Sequence, residues 1–198
     1  MPEFGKYFFG NVHFPEREEY REFQYKFLMV LLAAGAIATA GFIIPAQGGA
    51  APIPAAHVRS MTIFTVVSIV LFFALRGRKQ WFIPIVWMYE IASLLELASA
   101  MIYVPGDELR ILWLFTNIPG AYLLLGRATG TAVSAVIIAG VVIGNPHMAA
   151  PYSSNALATA VISMIYSAAF FYAYANRSVN FFIRMRDSNE RKCPANSP

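Results

Sequence analysis

Six runs of apolar residues, separated by short polar or glycine- and proline-containing segments, dominate the pattern of this chain. They lie at positions 25–45, 57–75, 81–104, 109–126, 130–144 and 156–175. A helix needs roughly 20 residues, at about 1.5 Å rise each, to cross a bilayer, so we expect the short fifth run to be tilted or partly shielded by protein. Because the runs lack the polar face of a soluble amphipathic helix, the pattern predicts an all-α polytopic membrane protein, a bundle of six transmembrane helices.

The basic residues predict how this bundle is oriented. Thirteen of the 15 Lys and Arg residues precede or begin the first run, follow the sixth, or lie between the second and third or the fourth and fifth runs. The other connections hold only Arg59 and Arg110. Cytoplasmic loops carry the Lys and Arg excess, so both termini are predicted to be cytoplasmic.

Composition narrows the set of partners. The chain is 58% apolar and only 13% charged, with a pI of about 9.3. Since the positive charge lies in the predicted cytoplasmic clusters, it favours contact with the headgroups of an anionic lipid bilayer and not with nucleic acid. Cys193 is the only cysteine, which excludes an internal disulfide.

The chain divides into three predicted parts. Residues 1–23 form a cytoplasmic arm with a short amphipathic helix around 15–23, and residues 24–176 form the six-helix transmembrane domain. Residues 177–198 form a cytoplasmic exit helix and tail, in which Pro194 ends the helix. Phe181, Phe182 and Met185 fall on one side of this exit helix, a stripe that could pair two such helices in a homodimer.

Two glutamates within the third run are the main candidates for chemistry. Glu90 and Glu96 are costly within a membrane and therefore need an interior position and a partner. Six residues correspond to about 240° of net rotation, so the two do not share one helix face. Each carboxyl is interpreted either as part of a ligand, proton or ion site or as a polar contact satisfied by Asn117, Thr116, Ser163 or Tyr166.

The turn between the third and fourth runs supplies further candidates. Asp107 and Arg110, with Asn117 in the next run, complete the predicted ligand- or signal-sensing set of Glu90 and Glu96. The alternative for the turn is a solvated loop with local ion pairing, which contributes little energy. Gly140 and Gly144 form a GxxxG pair that favours close helix packing, within the bundle or between two copies.

Metal and catalytic signals are weak. His57 and His147 are both predicted on the outer side, where they could ligate haem or a divalent metal, but no HxxxH spacing is present and the cofactor stays unknown. The sequence contains no P-loop, HExxH or CxxC motif. Nothing therefore predicts an enzyme.

Three segments resemble a known family. The arm NVHFPEREEYREFQYKFLMVLLAAG, the turn and fourth run PGDELRILWLFTNIPGAYLLLGRATG and the exit YANRSVNFFIRMRDSNERK resemble the membrane sensor region of bacterial GGDEF proteins, the diguanylate cyclases. The resemblance covers about residues 11–192. It implies a sensory and anchoring module of cyclic di-GMP signalling in the bacterial inner membrane, whose exit helix leads into a GGDEF domain or contacts a signalling partner.

The resemblance does not extend to catalysis. The GGDEF signature is absent and the chain departs from the pattern at CPANSP, where the cyclase domain would begin, so no residue here inherits cyclase activity. Two other functions remain open at this point. One is a small transporter or channel with Glu90 as its coupling residue, and the other is a haem-binding membrane protein that uses His57 and His147.

Overall fold

The computed structural model describes residues 2–15, 18–107 and 109–192, without the side chains at 2–4, 6, 178–180 and 182–192. All regular structure in these residues is helical, which confirms the all-α prediction. The helices are α1 (Pro2–Phe9), α2 (Glu19–Gln47), α3 (Ala55–Leu75), α4 (Phe82–Tyr103), α5 (Leu112–Gly144) and α6 (Ser154–Lys192), with single 3-10 turns at Lys79–Trp81 and Asn145–His147.

Five helical segments of the described chain are long and apolar enough to cross a membrane. They cover Glu19–Gln47, Ala55–Leu75, Lys79–Tyr103, Leu112–His147 and Ser154–Arg177. Large apolar side chains such as Ile37, Val70 and Ile143 point outward from them, with 74%, 58% and 69% of their surface exposed. An apolar exterior of this extent is suited to lipid and not to water, which indicates a multi-pass membrane protein.

Helix α5 is interrupted at Gly126. Its φ of 82° and ψ of −179° are not helical, and this region of backbone space is essentially restricted to glycine. A Cβ added to Gly130 would lie 2.9 Å from the Cα of Tyr122, whereas residues eight apart in a straight helix are separated by about 12 Å. The two halves of α5 therefore fold back on one another, at the point where the sequence separates the fourth and fifth apolar runs.

Gln24 satisfies the backbone groups that this break exposes. A helix end leaves its last carbonyls without an intrahelical donor. The Gln24 side-chain amide donates to the carbonyl oxygens of Leu123 at 2.9 Å and Leu124 at 3.1 Å. A buried polar residue on α2 thus stabilises the turn inside α5.

Contacts between distant residues gather the helix ends into two groups. At what we call the basic end, Lys79 forms an ion pair with Glu18 at 3.0 Å, and Arg127 donates to Asn176 at 2.9 Å. At the far end, the turn before α5 contacts the connection before α6 through a 2.6 Å bond from Arg110 to the carbonyl of Ala150. The basic end includes Arg21, Lys26, Arg76, Arg78, Lys79, Arg127 and Arg177.

The arm differs from the sequence prediction. Of the segment around 15–23 predicted to form a short amphipathic helix, the residues from Glu19 onward form the first turns of α2, and residues 16 and 17 lie outside the described residues. The arm's own helix is α1. The ring of Phe8 packs edge-on against Phe72 of α3, with the ring centroids 5.2 Å apart. The Tyr25 hydroxyl lies 3.0 Å from the carbonyl oxygens of both Phe9 and Leu75. The arm is therefore held against the basic end by apolar packing. The pattern of charges along the sequence does not predict these contacts.

Helix α6 is continuous over 39 residues, from Ser154 to Lys192. The backbone is therefore helical over residues 177–192, where the sequence predicts an exit helix. The predicted apolar stripe at Phe182 and Met185 lies outside the described side chains, and the predicted end of the helix at Pro194 lies outside the described residues.

Candidate functional site

The far end of the bundle contains a cavity of about 990 Å³. It lies between α2, α3, α4 and the start of α5, and the connection between α2 and α3 contributes to its wall. Ligand sites in proteins typically measure about 300–1,000 Å³, with apolar walls and few polar groups. The walls here are mostly apolar and aromatic, and include Phe42, Ile53, Met61, Leu97, Tyr103 and Trp113.

Two polar pairs between α3 and α4 lie beside this cavity. The Ser60 hydroxyl donates to the Glu96 carboxyl, and His57 Nδ1 lies 3.1 Å from Ser99 Oγ. Positions 57 and 60 are one helical turn apart on α3, as are 96 and 99 on α4, so the antiparallel helices bring both pairs together.

His57 and Glu96 both line the cavity, and both residues are 8% exposed. His57 Nδ1 lies 3.6 Å from Glu96 Oε1, beyond its 3.1 Å distance to Ser99. The closer partner of the imidazole is therefore the serine. A carboxylate offers about four acceptor positions, so Glu96 retains capacity to bind a donor inside the cavity.

Asp107 is the second acidic residue of the cavity wall. Its Oδ1 accepts a 2.9 Å hydrogen bond from the Leu109 backbone N–H, which fixes the side chain in the turn between α4 and α5. Among the described residues that line the cavity, Glu96 and Asp107 are the acidic side chains, and none is a Lys or Arg. The site is therefore acidic.

Arg110 does not belong to the cavity wall. Its guanidinium donates to the carbonyl oxygens of Pro105 at 2.9 Å, Asp107 at 2.8 Å and Ala150 at 2.6 Å. The group also lies over the Tyr152 ring, 4.7 Å from its centroid. Arg110 is only 2% exposed. The alternative interpretation of this turn, a solvated loop with local ion pairing, therefore does not describe Arg110. Its hydrogen bonds join the turn between α4 and α5 to the connection between α5 and α6.

Glu90 lies deeper in the bundle and is 2% exposed. Its Oε1 has no hydrogen-bond partner in the described part of the chain, and the same holds for Oδ1 of Asn117. The Asn117 amide nitrogen donates at 2.7 Å to Ser93, which is about one helical turn from Glu90 on α4. The structure therefore places Asn117 near the level of Glu90 but does not join the two by a hydrogen bond.

The predicted partners of the two glutamates are wrong. Asn117 bonds to Ser93, Thr116 donates to the carbonyl of Trp113 at 2.7 Å, and Ser163 and Tyr166 are exposed. Both Glu90 and Glu96 are nevertheless buried, because α4 packs against α3 on one side and α5 on another. The hydrogen bond that Glu96 accepts from Ser60 depends on the register between α3 and α4, which apolar runs do not encode.

The two histidines have different surroundings. His57 is buried beside Ser99 and Glu96, whereas His147 is exposed in the 3-10 turn Asn145–His147. Within the described residues there is no group of three or more His, Cys, Asp or Glu side chains placed to hold a metal ion. The haem or metal hypothesis stays a prediction.

Comparison of the chain with protein-family models, with curated proteins and with solved structures gave no match. The relation to the membrane region of GGDEF proteins therefore remains a resemblance of three sequence segments.

Proposed function

We propose that this chain is the sensory and anchoring module of a bacterial inner-membrane signalling protein of the diguanylate cyclase type. It binds a small ligand in the far-end cavity and passes the bound state to the cytoplasm through α6. The observation that carries this proposal is the cavity of about 990 Å³ with the buried residues His57 and Glu96 in its wall. A large apolar space with a few convergent polar groups is the usual form of a small-molecule site.

The proposal includes six membrane crossings. The non-helical backbone at Gly126 supports counting the two halves of α5 as separate spans. With six spans, both chain ends lie on the basic side, which the positive-inside rule assigns to the cytoplasm. The ligand cavity then opens toward the outer half of the membrane.

Helix α6 is suited to carry the signal. Its first 24 residues, Ser154–Arg177, are the part long and apolar enough to cross a membrane, and the helix continues without interruption to Lys192. It shares an apolar cluster with α5, which includes Ile118, Ile137 and Met164. Because Trp113 at the start of α5 lines the cavity, a shift of α5 on ligand binding would be transmitted to α6. A homodimer and a cytoplasmic cyclase domain or partner are the proposed recipients, on the basis of the sequence resemblance.

The experiment uses Cys193, the single native cysteine, as the attachment point for a spin label in membrane-reconstituted protein. Ala38→Trp fills the cavity from an exposed position on its wall and mimics a ligand. We expect it to change the distribution of distances between labels on paired protomers. Ala132→Trp on the exposed face of α5 is the control and should not. An unchanged distribution in Ala38→Trp, or labels too distant to interact at all, would refute the relay through paired exit helices.

Glu90 supports a second candidate, a small transporter or channel. Glu90 is 2% exposed, and its Oε1 has no partner in the described residues. A buried carboxyl of this kind is typical of ion or proton pathways inside membrane proteins. Flux of protons or alkali cations into liposomes that contain the protein, and its loss in Glu90→Gln, would favour this candidate over the sensor.

A further inference from the structure

We infer that the ligand of the far-end cavity is an organic cation: a compact apolar or aromatic body that carries one ammonium group, bound by the Glu96 carboxylate. This inference rests on the cavity being a ligand site, as proposed above, and adds the charge and shape of the ligand.

The charge of the cavity wall is the first argument. Glu96 and Asp107 line it, and no Lys or Arg side chain occurs among its described lining residues. The nearby Arg110 is turned toward the carbonyl oxygens of Pro105 and Ala150. An acidic cavity attracts cations and repels anions, and its low-dielectric walls strengthen both effects.

The position of Glu96 is the second argument. Glu96 is 8% exposed and its carboxyl accepts from the Ser60 hydroxyl, while the neighbouring imidazole is closer to Ser99. The carboxylate is thus oriented by a neutral donor that leaves acceptor positions free. An ammonium group would donate to these positions and supply the counter-charge that a buried carboxylate lacks.

The aromatic walls are the third argument. Phe42 and Trp113 pack edge to face with ring centroids 6.0 Å apart, and both line the cavity with Tyr103. Aromatic faces bind cations through their quadrupole, with Trp the strongest, and aromatic cages are the usual recognition device for organic ammonium groups. The same rings provide apolar surface for the body of the ligand.

The test measures binding to the purified full chain by the fluorescence of Trp113. The chain has three tryptophans, so Trp81→Phe and Trp87→Phe, at two exposed positions, leave Trp113 as the only reporter. The probes are matched in size and differ in charge: 2-phenylethylammonium, neutral 2-phenylethanol and anionic phenylacetate. We expect the cation to bind at least tenfold more tightly than the alcohol, a difference of about 1.4 kcal/mol, and the anion to bind most weakly.

Matched variants locate the charge that is responsible. Glu96→Gln should reduce the preference for the cation over the alcohol to below about threefold, and Asp107→Asn should reduce it less because this residue is in the turn. Glu22→Gln, the same change at the basic end, should leave the preference intact. The probe comparison in the parent protein does not depend on the folding of any of these variants.

The outcomes separate the two proposals. Equal binding of cation and alcohol, or tighter binding of the anion, overturns the cation inference but leaves the cavity as a ligand site. Binding of none of the probes overturns both the inference and the use of the cavity for sensing. Cation binding without a change at Cys193 would support the ligand class and refute only the relay through α6.

Discussion

Glu90 and Glu96 are two glutamates of one helix with different surroundings, and they should respond differently to the same substitution. Glu90 Oε1 has no partner in the described residues, whereas Glu96 accepts from Ser60. Glu90→Gln keeps the side-chain shape and replaces a carboxyl whose Oε1 has no hydrogen-bond partner within the described residues. We expect it to change the free energy of unfolding by less than about 1 kcal/mol.

Glu96→Gln is the matched comparison for that prediction. The Ser60 donor would face a weaker acceptor, and the amide would place a donor near His57, so we expect a loss of about 1–2 kcal/mol. Thermal unfolding of both variants in the same detergent provides the measurement. A larger loss for Glu90→Gln than for Glu96→Gln would mean that Glu90 has an essential partner.

Arg110 should be intolerant even of lysine. Its planar guanidinium reaches the carbonyl oxygens of Pro105, Asp107 and Ala150 at once, and the single ammonium group of lysine does not reproduce this fork. Arg110→Lys is expected to lower the free energy of unfolding by about 1–3 kcal/mol. Arg59→Lys, at an exposed position of α3, is the control in the same thermal assay. Equal thermal midpoints for both variants would contradict a structural role for Arg110.

At the level of single residues, the sequence identified burial better than partners. A glutamate within an apolar run must be inside the bundle, and Glu90 and Glu96 both are. The neighbours of Glu96 could not be found in the same way, because nothing in the sequence relates Ser60 or His57, near the start of α3, to a position on α4. Which of them contacts α4 is set by helix register and rotation, and the apolar runs carry almost no information about either.

Among the helices, α5 depends most on individual glycines. Gly126 combines a φ of 82° with a ψ of −179°, and a Cβ on Gly130 would lie 2.7 Å from the Tyr122 ring. Gly126→Ala is expected to cost about 1–3 kcal/mol through backbone strain. Gly130→Ala is expected to cost a similar ~1–3 kcal/mol through overpacking.

Gly140→Ala is the control for both α5 variants. A Cβ at this position meets nothing within 4 Å, so alanine should leave the thermal midpoint unchanged or raise it slightly. If Gly130→Ala left the thermal midpoint unchanged while Gly140→Ala lowered it, the folded-back arrangement of α5 would be contradicted. The open space at Gly140 also shows that the predicted GxxxG packing is not made within the described part of the chain.

The helix boundaries show what apolar patterning encodes at this scale. The run 57–75 matches Ala55–Leu75 and the run 81–104 matches Phe82–Tyr103 closely, because both are bounded by turn-forming residues. Helix α2 begins at Glu19, six residues before the apolar run 25–45. Charged residues extend the helix beyond its apolar part through ion pairs one turn apart, such as Lys26 with Glu22 at 2.5 Å. Apolar patterning does not predict helix α1, because this helix is held by contacts of Phe8 with Phe72 and of Phe9 with Tyr25.

At the scale of the whole molecule, successive connections between the helices are expected to lie on alternate sides of the membrane. Reporter fusions can test this topology. Reporter fusions after Arg78, Arg127 and Arg186 are expected to report the cytoplasm, and fusions after Gly49, Gly106 and Ala150 the outer side. The fusion after Arg127 is the most informative, because it lies one residue after the break at Gly126.

If α5 crossed the membrane once, as a single long span, the Ala150 and Gly106 fusions would report opposite sides. The 2.6 Å bond between Arg110 and Ala150 requires those two connections to lie on the same side. Opposite reports from Gly106 and Ala150, or an outer report from Arg127, would therefore refute the six-span arrangement and with it the cytoplasmic exit of α6.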